Sequence, residues 1–598
     1  MKKKQMTALF IAAAMTISML SGCGNGGQGA SESGNAPEGS DSSSSEASDG
    51  SGEQDGGESD GQADNGGEAV EFADVVAFED IEFPDALPQN PTLAEDGWYE
   101  WDDMSVHYDL EFLTDHYGEE MPSFDPIAAW LGEKFNVTIK LTTVANGDME
   151  NILSTRFTSG DLPDLFALPN RDFGFTLGGQ GLLVDASEMY PYMPQTRKFV
   201  TKTLIQYTTM DDGTIPMITK YPVQDGDIWA LAINTDWLEK LNMSMPATLD
   251  ELKEYARACT FDDPDGNGID DTWFMTGAGG GKGWQSMTAF RPWFGNPSAH
   301  AENGKLVHPM LDGSTRGWVS FMNELCEMGT LAPDWFTIDW ETAKSYMLQN
   351  RLGALYYPAA NLYLEIVRSH DWDYSLASSW EYLPDLPEGM KGTAGGNAGY
   401  LWAIPKSNVE GDQGKLLRIL HIMDAMCYGG DCHFETVQGG GNEVHDIDIC
   451  VREYLEDGLS YCTTPTEHPG FDGTYGTTNL NLAPWQTFGY TVKWQLEYTP
   501  EDAGEDQKMY VDKINNGKKV IASYDRWPND NLLSAVNINE IAPNLSEYEL
   551  QQQYKFVTGE RSMDEWDDFV TEWLNQGGRD VLAAQAEKLG VELPDEAK

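Results

Sequence analysis

Apolar and polar positions divide the chain into three unequal parts. A basic cap, Met1-Lys2-Lys3-Lys4, precedes an apolar run from Ala8 to Met15 that continues weakly to Leu20. From Gly24 to about Glu68 the residues are mostly Gly, Ser, Asp, Glu, Asn and Gln, as in Asp41-Ser42-Ser43-Ser44-Ser45-Glu46. Patterned apolar residues return after that. Ala69–Gln89 is apolar and acidic with prolines, and predicts an irregular arm. Val106–Leu113 alternates loosely and suits a first strand. Phe124–Phe135 reads as a helix, with Ser123 as its cap and Pro126 in its first turn. Val137–Val144 is rich in β formers, Asp148–Phe157 is helical, and Asp164–Leu168 is a strand. This alternation predicts an α/β lobe with a mostly parallel sheet. Lys415–Met426 reads as an amphipathic helix, the remainder to Lys598 is mostly helical, and no internal repeat is visible.

The first part has the charge, apolar run and small residues of a secretory signal, and its apolar run is too short to span a membrane. Leu20-Ser21-Gly22-Cys23 resembles the lipobox of bacterial lipoproteins. That resemblance implies removal of residues 1–22 and a diacylglycerol on Cys23, which would hold the chain on the outer face of the cell membrane. Residues 23–68 bury too little to offset ordering entropy and predict a disordered leash. As a flexible coil it would span roughly 35–40 Å, and more with like charges repelling.

A chain of 598 residues exceeds what one core organises, so two or more lobes are expected. The formal net charge of -61 excludes a nucleic-acid partner, whose phosphates need cations, and argues against adhesion to anionic head groups. Besides Cys23 there are Cys259, Cys326, Cys427, Cys432, Cys450 and Cys462. They form neither a dense disulfide framework nor a zinc spacing, and buried thiols are expected, although Cys427 and Cys432 are close enough in sequence to pair.

Ser159-Gly160-Asp161-Leu162-Pro163-Asp164-Leu165-Phe166, followed by Gly181-Leu182-Leu183-Val184-Asp185, resembles the first lobe of extracellular solute-binding proteins of ABC transporters, in their oligosaccharide-binding branch. Ile228–Leu238 resembles the first crossing strand and the helix start after it. Thr248 and Glu251 form a capping-box signature. Glu327–Phe336 resembles a further family segment, with Thr330 where an apolar residue is usual. Gly353–Tyr357 resembles the return strand into the first lobe, Gly399–Lys406 the next crossing, and Gly439–Glu443 an altered family turn. The resemblance implies an α/β, two-lobe periplasmic-binding-protein-like fold of type II, with crossing strands and a cleft between the lobes. Over residues 69–598 it places the first lobe at about 100–230 and 353–400, and the second at about 235–350 and 403–598. It also places Asn170, Arg171 and Asp172 in a loop at the ligand cleft, in keeping with ligand binding beyond the carboxyl ends of strands in open α/β sheets.

Asp263-Pro264-Asp265-Gly266-Asn267-Gly268-Ile269-Asp270-Asp271 matches the first half of a calcium loop, with oxygen side chains at alternating positions and glycine at the sixth. The expected ligands of a structural calcium ion are Asp263, Asp265, Asn267, the Ile269 carbonyl and Asp271. Phe274 at the twelfth position departs from an EF-hand. The loop resembles the shorter one of alginate-oligosaccharide-type binding proteins, whose acidic residue at the next place is here Thr272. Gly277–Gly283 lacks the spacing of a phosphate loop and reads as a flexible cleft loop.

Sugars offer flat C–H faces edged by hydroxyls, which aromatic rings and polar side chains hold. Of nineteen tryptophans, Trp284, Trp293 and Trp485, together with Tyr357, lie among Gly, Pro or polar residues and are the candidate platforms, whereas Trp237 and Trp318 read as helix-packing residues. No hydrolase or dinucleotide motif stands out. The expected function is a lipid-anchored receptor that binds an oligosaccharide and delivers it to an ABC permease, without catalysis. A secreted glycan-active enzyme and a surface adhesin or scaffold share the anchor and tether, and a peptide ligand fits the same fold.

Overall fold

The computed structural model describes residues 75–85, 99–116, 125–219, 229–393, 400–427, 432, 436, 451–454, 460–463, 485, 499, 503–528 and 531–598. The signal segment, Cys23, the tether, Ser123 and the Gly439–Glu443 turn lie outside them.

Strand β1 (Tyr108–His116) buries Leu110, Phe112 and Leu113. Helix α1 (Pro126–Phe135) is capped by Asp125, whose Oδ1 accepts the Ala128 N–H at 3.0 Å. It ends on Asn136 in the left-handed region, φ 49°. The chain then reverses into β2 (Val137–Ala145), which pairs in parallel with β1, Tyr108 opposite Val137. Helix α2 (Met149–Ser159) returns the chain to β3 (Leu165–Ala167), parallel to the other side of β1. Helix α3 (Arg171–Gly179) follows and packs against Pro216; a Cβ on Gly178 would lie 2.5 Å from the Pro216 Cβ, so only glycine fits there. Helix α4 (Lys202–Thr208) leads toward β4 (Ile218–Thr219). The predicted arm is present at 75–85, where Phe78 and Phe83 pack their rings on Tyr190.

The second lobe is built on β5 (Trp229–Asn234). Asn234 caps α5 (Thr235–Lys240), and Thr248 with Glu251 makes the expected capping box of α6 (Leu249–Phe261). Helix α7 (Ser314–Glu327) buries Trp318, Val319, Phe321, Met322 and Leu325. Strands β6 (Ala354–Pro358) and β7 (Trp380–Tyr382) flank β5, both antiparallel to it. Leu231 and Ile233 of β5 enter one core, Ala230 and Ala232 another on the opposite face, as strand alternation requires.

Beyond residue 399 the chain is back in the first lobe. Strand β8 (Leu401–Ala403) fits antiparallel between β3 and β4, giving the sheet order β2-β1-β3-β8-β4. Helix α8 (Gln413–Met426) packs Ile419, Leu420, Ile422 and Met423 into the first-lobe core. The last part, α9 (Glu505–Ser523), α10 (Leu545–Thr558) and α11 (Arg579–Leu589), packs on the second lobe.

Two expectations change. The first-lobe sheet is mixed, because β8 enters it against the direction of its neighbours. The lobe boundaries also exchange: residues 353–393, expected in the first lobe, pair with β5, and residues 401–426, placed largely in the second, complete the first-lobe sheet and core. Both segments carry the same kind of short apolar run, and which sheet such a run joins is decided by partners hundreds of residues away.

Candidate ligand cleft

Strand direction fixes where the first lobe faces its partner. Strand β4 runs parallel to β3, since β8 is antiparallel to both. Thr219, the last described residue before the second lobe begins at Trp229, is at the carboxyl end of β4. The carboxyl end of β3 lies on the same edge, and there Leu168 to Asn170 turn into α3. Asn170, exposed, caps α3 by accepting the Phe173 N–H on Oδ1 at 2.8 Å. Arg171 is buried, its guanidinium against the rings of Phe175 and Tyr207, with centroids 5.0 and 4.8 Å from Cζ. Its Nη2 reaches Asp172 Oδ1 at 3.2 Å. The three consecutive residues predicted for the cleft thus stand at the carboxyl end of β3, where α3 begins.

The lobes meet beside them. The short helix Asn531–Ser534 packs against both α4 and α11, and Leu532 enters the first-lobe core. Lys588 of α11 donates to the Ala535 carbonyl at 2.8 Å. Partial desolvation, and then the positive charge of Arg171, hold this ammonium below its ordinary pKa.

On the second lobe, Trp229 is the first described residue after the chain crosses over. It meets Trp340 at 5.5 Å and Tyr356 at 5.6 Å between centroids, and all three are half-buried. Tyr357 lies flat against Trp340, 5.0 Å away with planes 9° apart, and is 2% exposed, so it backs this cluster rather than fronting it. The sequence reading missed Trp229, Trp340 and Tyr356. The available signal was an aromatic residue at the mouth of a crossing strand.

The other predicted platforms are buried. Trp284 stacks on Trp335 in the second-lobe core and donates to Gln553 Oε1 at 3.1 Å. Trp293 packs edge-on against Phe290, centroids 5.0 Å apart, in the same core. Trp485 is fully buried in the first-lobe core, its Nε1 donating to Asp125 Oδ2 at 2.7 Å. Neighbouring Gly and Pro misled here, because they report local chain direction and not burial, which packing partners far along the chain decide. Trp237 and Trp318 pack in the core as expected.

The Asp263–Asp271 loop gathers oxygen ligands around one amide. Asn267 Nδ2 donates to Asp265 Oδ2 at 2.7 Å and to Asp271 Oδ1 at 3.3 Å, while Asp263 accepts the Gly268 N–H. Positive φ at Gly266 and Gly268 makes this turn possible. Burial, followed by the hydrogen bond from Asp263 and the charges of Asp271 and Asp263, raises the Asp265 pKa against the lowering effect of the Asn267 N–H. The amide nitrogen thus lies where positive charge is wanted, and the donor set suits a hard cation. Asp271 is shared with Arg351, whose Nε is 3.7 Å from Oδ2, and the Ile269 carbonyl accepts the Asp271 N–H. Thr272 is buried and donates to the Cys259 carbonyl at 2.9 Å, so it faces α6 and not the loop. Among the described residues, no three His, Cys, Asp or Glu side chains converge closely enough to share a metal ion. No helix of the described residues is long and apolar enough to cross a membrane.

The chain belongs to the bacterial extracellular solute-binding protein family, which matches residues 118–416. It is 23% identical over 480 residues to Lipoprotein LipO of Bacillus subtilis, covering 78% of this chain and 88% of that protein. It is likewise 23% identical over 463 residues to the polygalacturonan/rhamnogalacturonan-binding protein YtcQ of Bacillus subtilis, covering 75% and 84%. Among solved structures, the Streptococcus pneumoniae ABC-transporter substrate-binding protein FusA in complex with kestose superposes with a TM-score of 0.57 at 19% identity, over 81% of this chain and 99% of that one. FusA has also been solved as an EF-hand mutant in complex with fructo-nystose, which matches this chain at 18% identity and a TM-score of 0.57 over 80% of this chain and 98% of that one. The shared fold is the two-lobed type II architecture of solute-binding proteins.

Proposed function

We propose that this protein captures an oligosaccharide between its lobes and hands it to an ABC importer, without cleaving it. The observation that carries this is the half-buried Trp229–Trp340–Tyr356 cluster at the mouth of the second-lobe sheet, together with Asn170–Asp172 on the first-lobe edge that faces that lobe. Aromatic rings suit the C–H faces of sugars, and Asn, Arg and Asp suit their hydroxyls. The sugar ligands named for YtcQ and FusA support the same class. Binding would act by hinge closure, the ligand favouring the closed state because only there does it touch both walls. Calorimetric titration with plant, host and microbial oligosaccharides, each recovered and analysed afterwards, tests this. Binding with the glycan intact is expected. Cleavage would make the protein an enzyme, and silence from a folded sample across the panel would remove the sugar reading.

Two attributes complete the proposal. Lipidation of Cys23 anchors the receptor on the outer face of the membrane that its permease spans. Mass spectrometry of the purified chain should show a diacylglycerol-bearing residue 23 as its first residue. Asp263, Asp265, Asn267 and Asp271 hold a structural calcium ion, in keeping with the EF-hand named for FusA. Asp265→Ala should lower the melting temperature by several degrees in calcium and leave it unchanged in chelator. Equal melting of the two proteins in calcium would refute the ion.

A further inference from the structure

We propose that the ligand is an acidic oligosaccharide, one of whose carboxylates docks on Arg171 between the lobes. This rests on the oligosaccharide reading and adds the charge of the ligand. Arg171 is 6% exposed. Its Nε and Nη2 are turned to Asp172 Oδ1, at 3.3 and 3.2 Å. Its Nη1 is closed off from solvent and meets no acceptor among the described residues. A buried cationic donor without an acceptor is unfavourable, and a bound group that fills the position recovers the loss. The rings of Phe175 and Tyr207 both lie against the guanidinium, which leaves it little freedom.

The electrostatic setting selects the kind of acceptor. Lys588 belongs to the second lobe and senses the charge of Arg171 across the seam. Two cations thus lie within electrostatic range of each other in a chain whose formal net charge is -61. Asp172 covers one side of the guanidinium, and Asp211 acts on Lys588 only through its charge, with no ion pair between them. A neutral hydroxyl would satisfy Nη1 and leave the charge of both cations in place. A carboxylate satisfies the donor, and its charge offsets both cations, with the fork geometry that guanidinium groups favour. The amino end of α3, a nine-residue helix starting at Arg171, adds partial positive charge at the same place.

The test uses the whole chain with calcium present. Oligogalacturonate, alginate oligosaccharide and a glucuronate-containing oligosaccharide are titrated beside the same oligomers after carboxyl reduction, and beside neutral glycans. At least one acidic oligomer should bind tenfold or more tightly than its reduced form, with affinity falling as salt rises. Lys588→Met should weaken the acidic form at least fivefold and leave the reduced form unchanged, and Arg171→Lys should weaken the acidic form by a larger factor than the reduced form. The acid-against-reduced comparison on the unaltered chain decides the matter if Arg171→Lys folds poorly. Equal binding of acidic and reduced forms, or binding of neutral glycans alone, would overturn the charge of the ligand while the sugar reading stands. Refusal of every glycan by a folded chain would overturn both.

Discussion

Trp229 and Trp340 show what a single side chain contributes in this protein. Each is half-buried, each touches the other, and Tyr357 stiffens the pair from behind. A ring held in this way presents area at little entropic cost, so truncation removes contact without changing the fold. Trp229→Ala and Trp340→Ala should each weaken glycan binding by about ten- to hundredfold, or ~1.4–2.8 kcal/mol, as read by calorimetry, with a melting temperature within a few degrees of the parent. One departure from the family pattern and one buried charge are also settled at this scale. Thr330, where an apolar residue was expected, is buried with its hydroxyl donating to the Leu325 carbonyl at 2.9 Å, so its polarity is absorbed locally. Arg418 is fully buried; its Nε donates to Asp102 at 2.8 and 2.9 Å, and its remaining nitrogens donate to carbonyls that include Val106 and Asp103. Arg418→Met would leave Asp102 and these carbonyls buried without their donor. A loss of about 3–5 kcal/mol is expected in denaturant unfolding of the first lobe.

Among elements, β1, β2 and α2 are tied through one carboxylate. Glu111 of β1 accepts from Arg156 of α2 at 2.7 and 3.0 Å, and from Lys140 and Thr142 of β2 at 3.0 and 2.6 Å. Arg156 above all holds its pKa down, at about 2 instead of 4.5. A depressed folded-state pKa means that the stabilisation is complete above pH 4.5 and fades as the pH falls toward 2. Glu111→Gln should therefore narrow the gap between neutral and acid stability, measured by unfolding at pH 7 and pH 3; an unchanged gap would contradict the assignment. The elements themselves were largely legible. The first strand, both helices and the next two strands fall within a few residues of their predicted spans, because cap, period and turn are local signals. Lobe membership was not legible, since β6 and β8 are both short apolar strands near Gly and Pro, and only pairing distinguishes them. The candidate site divided in the same way. The place of Asn170–Asp172 at the turn from β3 into α3 was legible from a strand, a turn and a helix start. The aromatic wall was not, because burial of Trp284, Trp293 and Trp485 depends on neighbours far along the chain.

At the scale of the whole molecule, two lobes with separate cores are joined by crossing segments and touch again at the short helix Asn531–Ser534. On the proposed function, a ligand touching both walls would shift such a body toward closure. Small-angle scattering of the chain starting at Gly24, with and without a saturating glycan identified by calorimetry, tests the account most directly. The radius of gyration should fall by about 1 Å or more and the scattering curve should fit a closed two-lobe body, the tether contributing equally to both states. An unchanged curve at proven saturation would contradict capture by closure of the lobes.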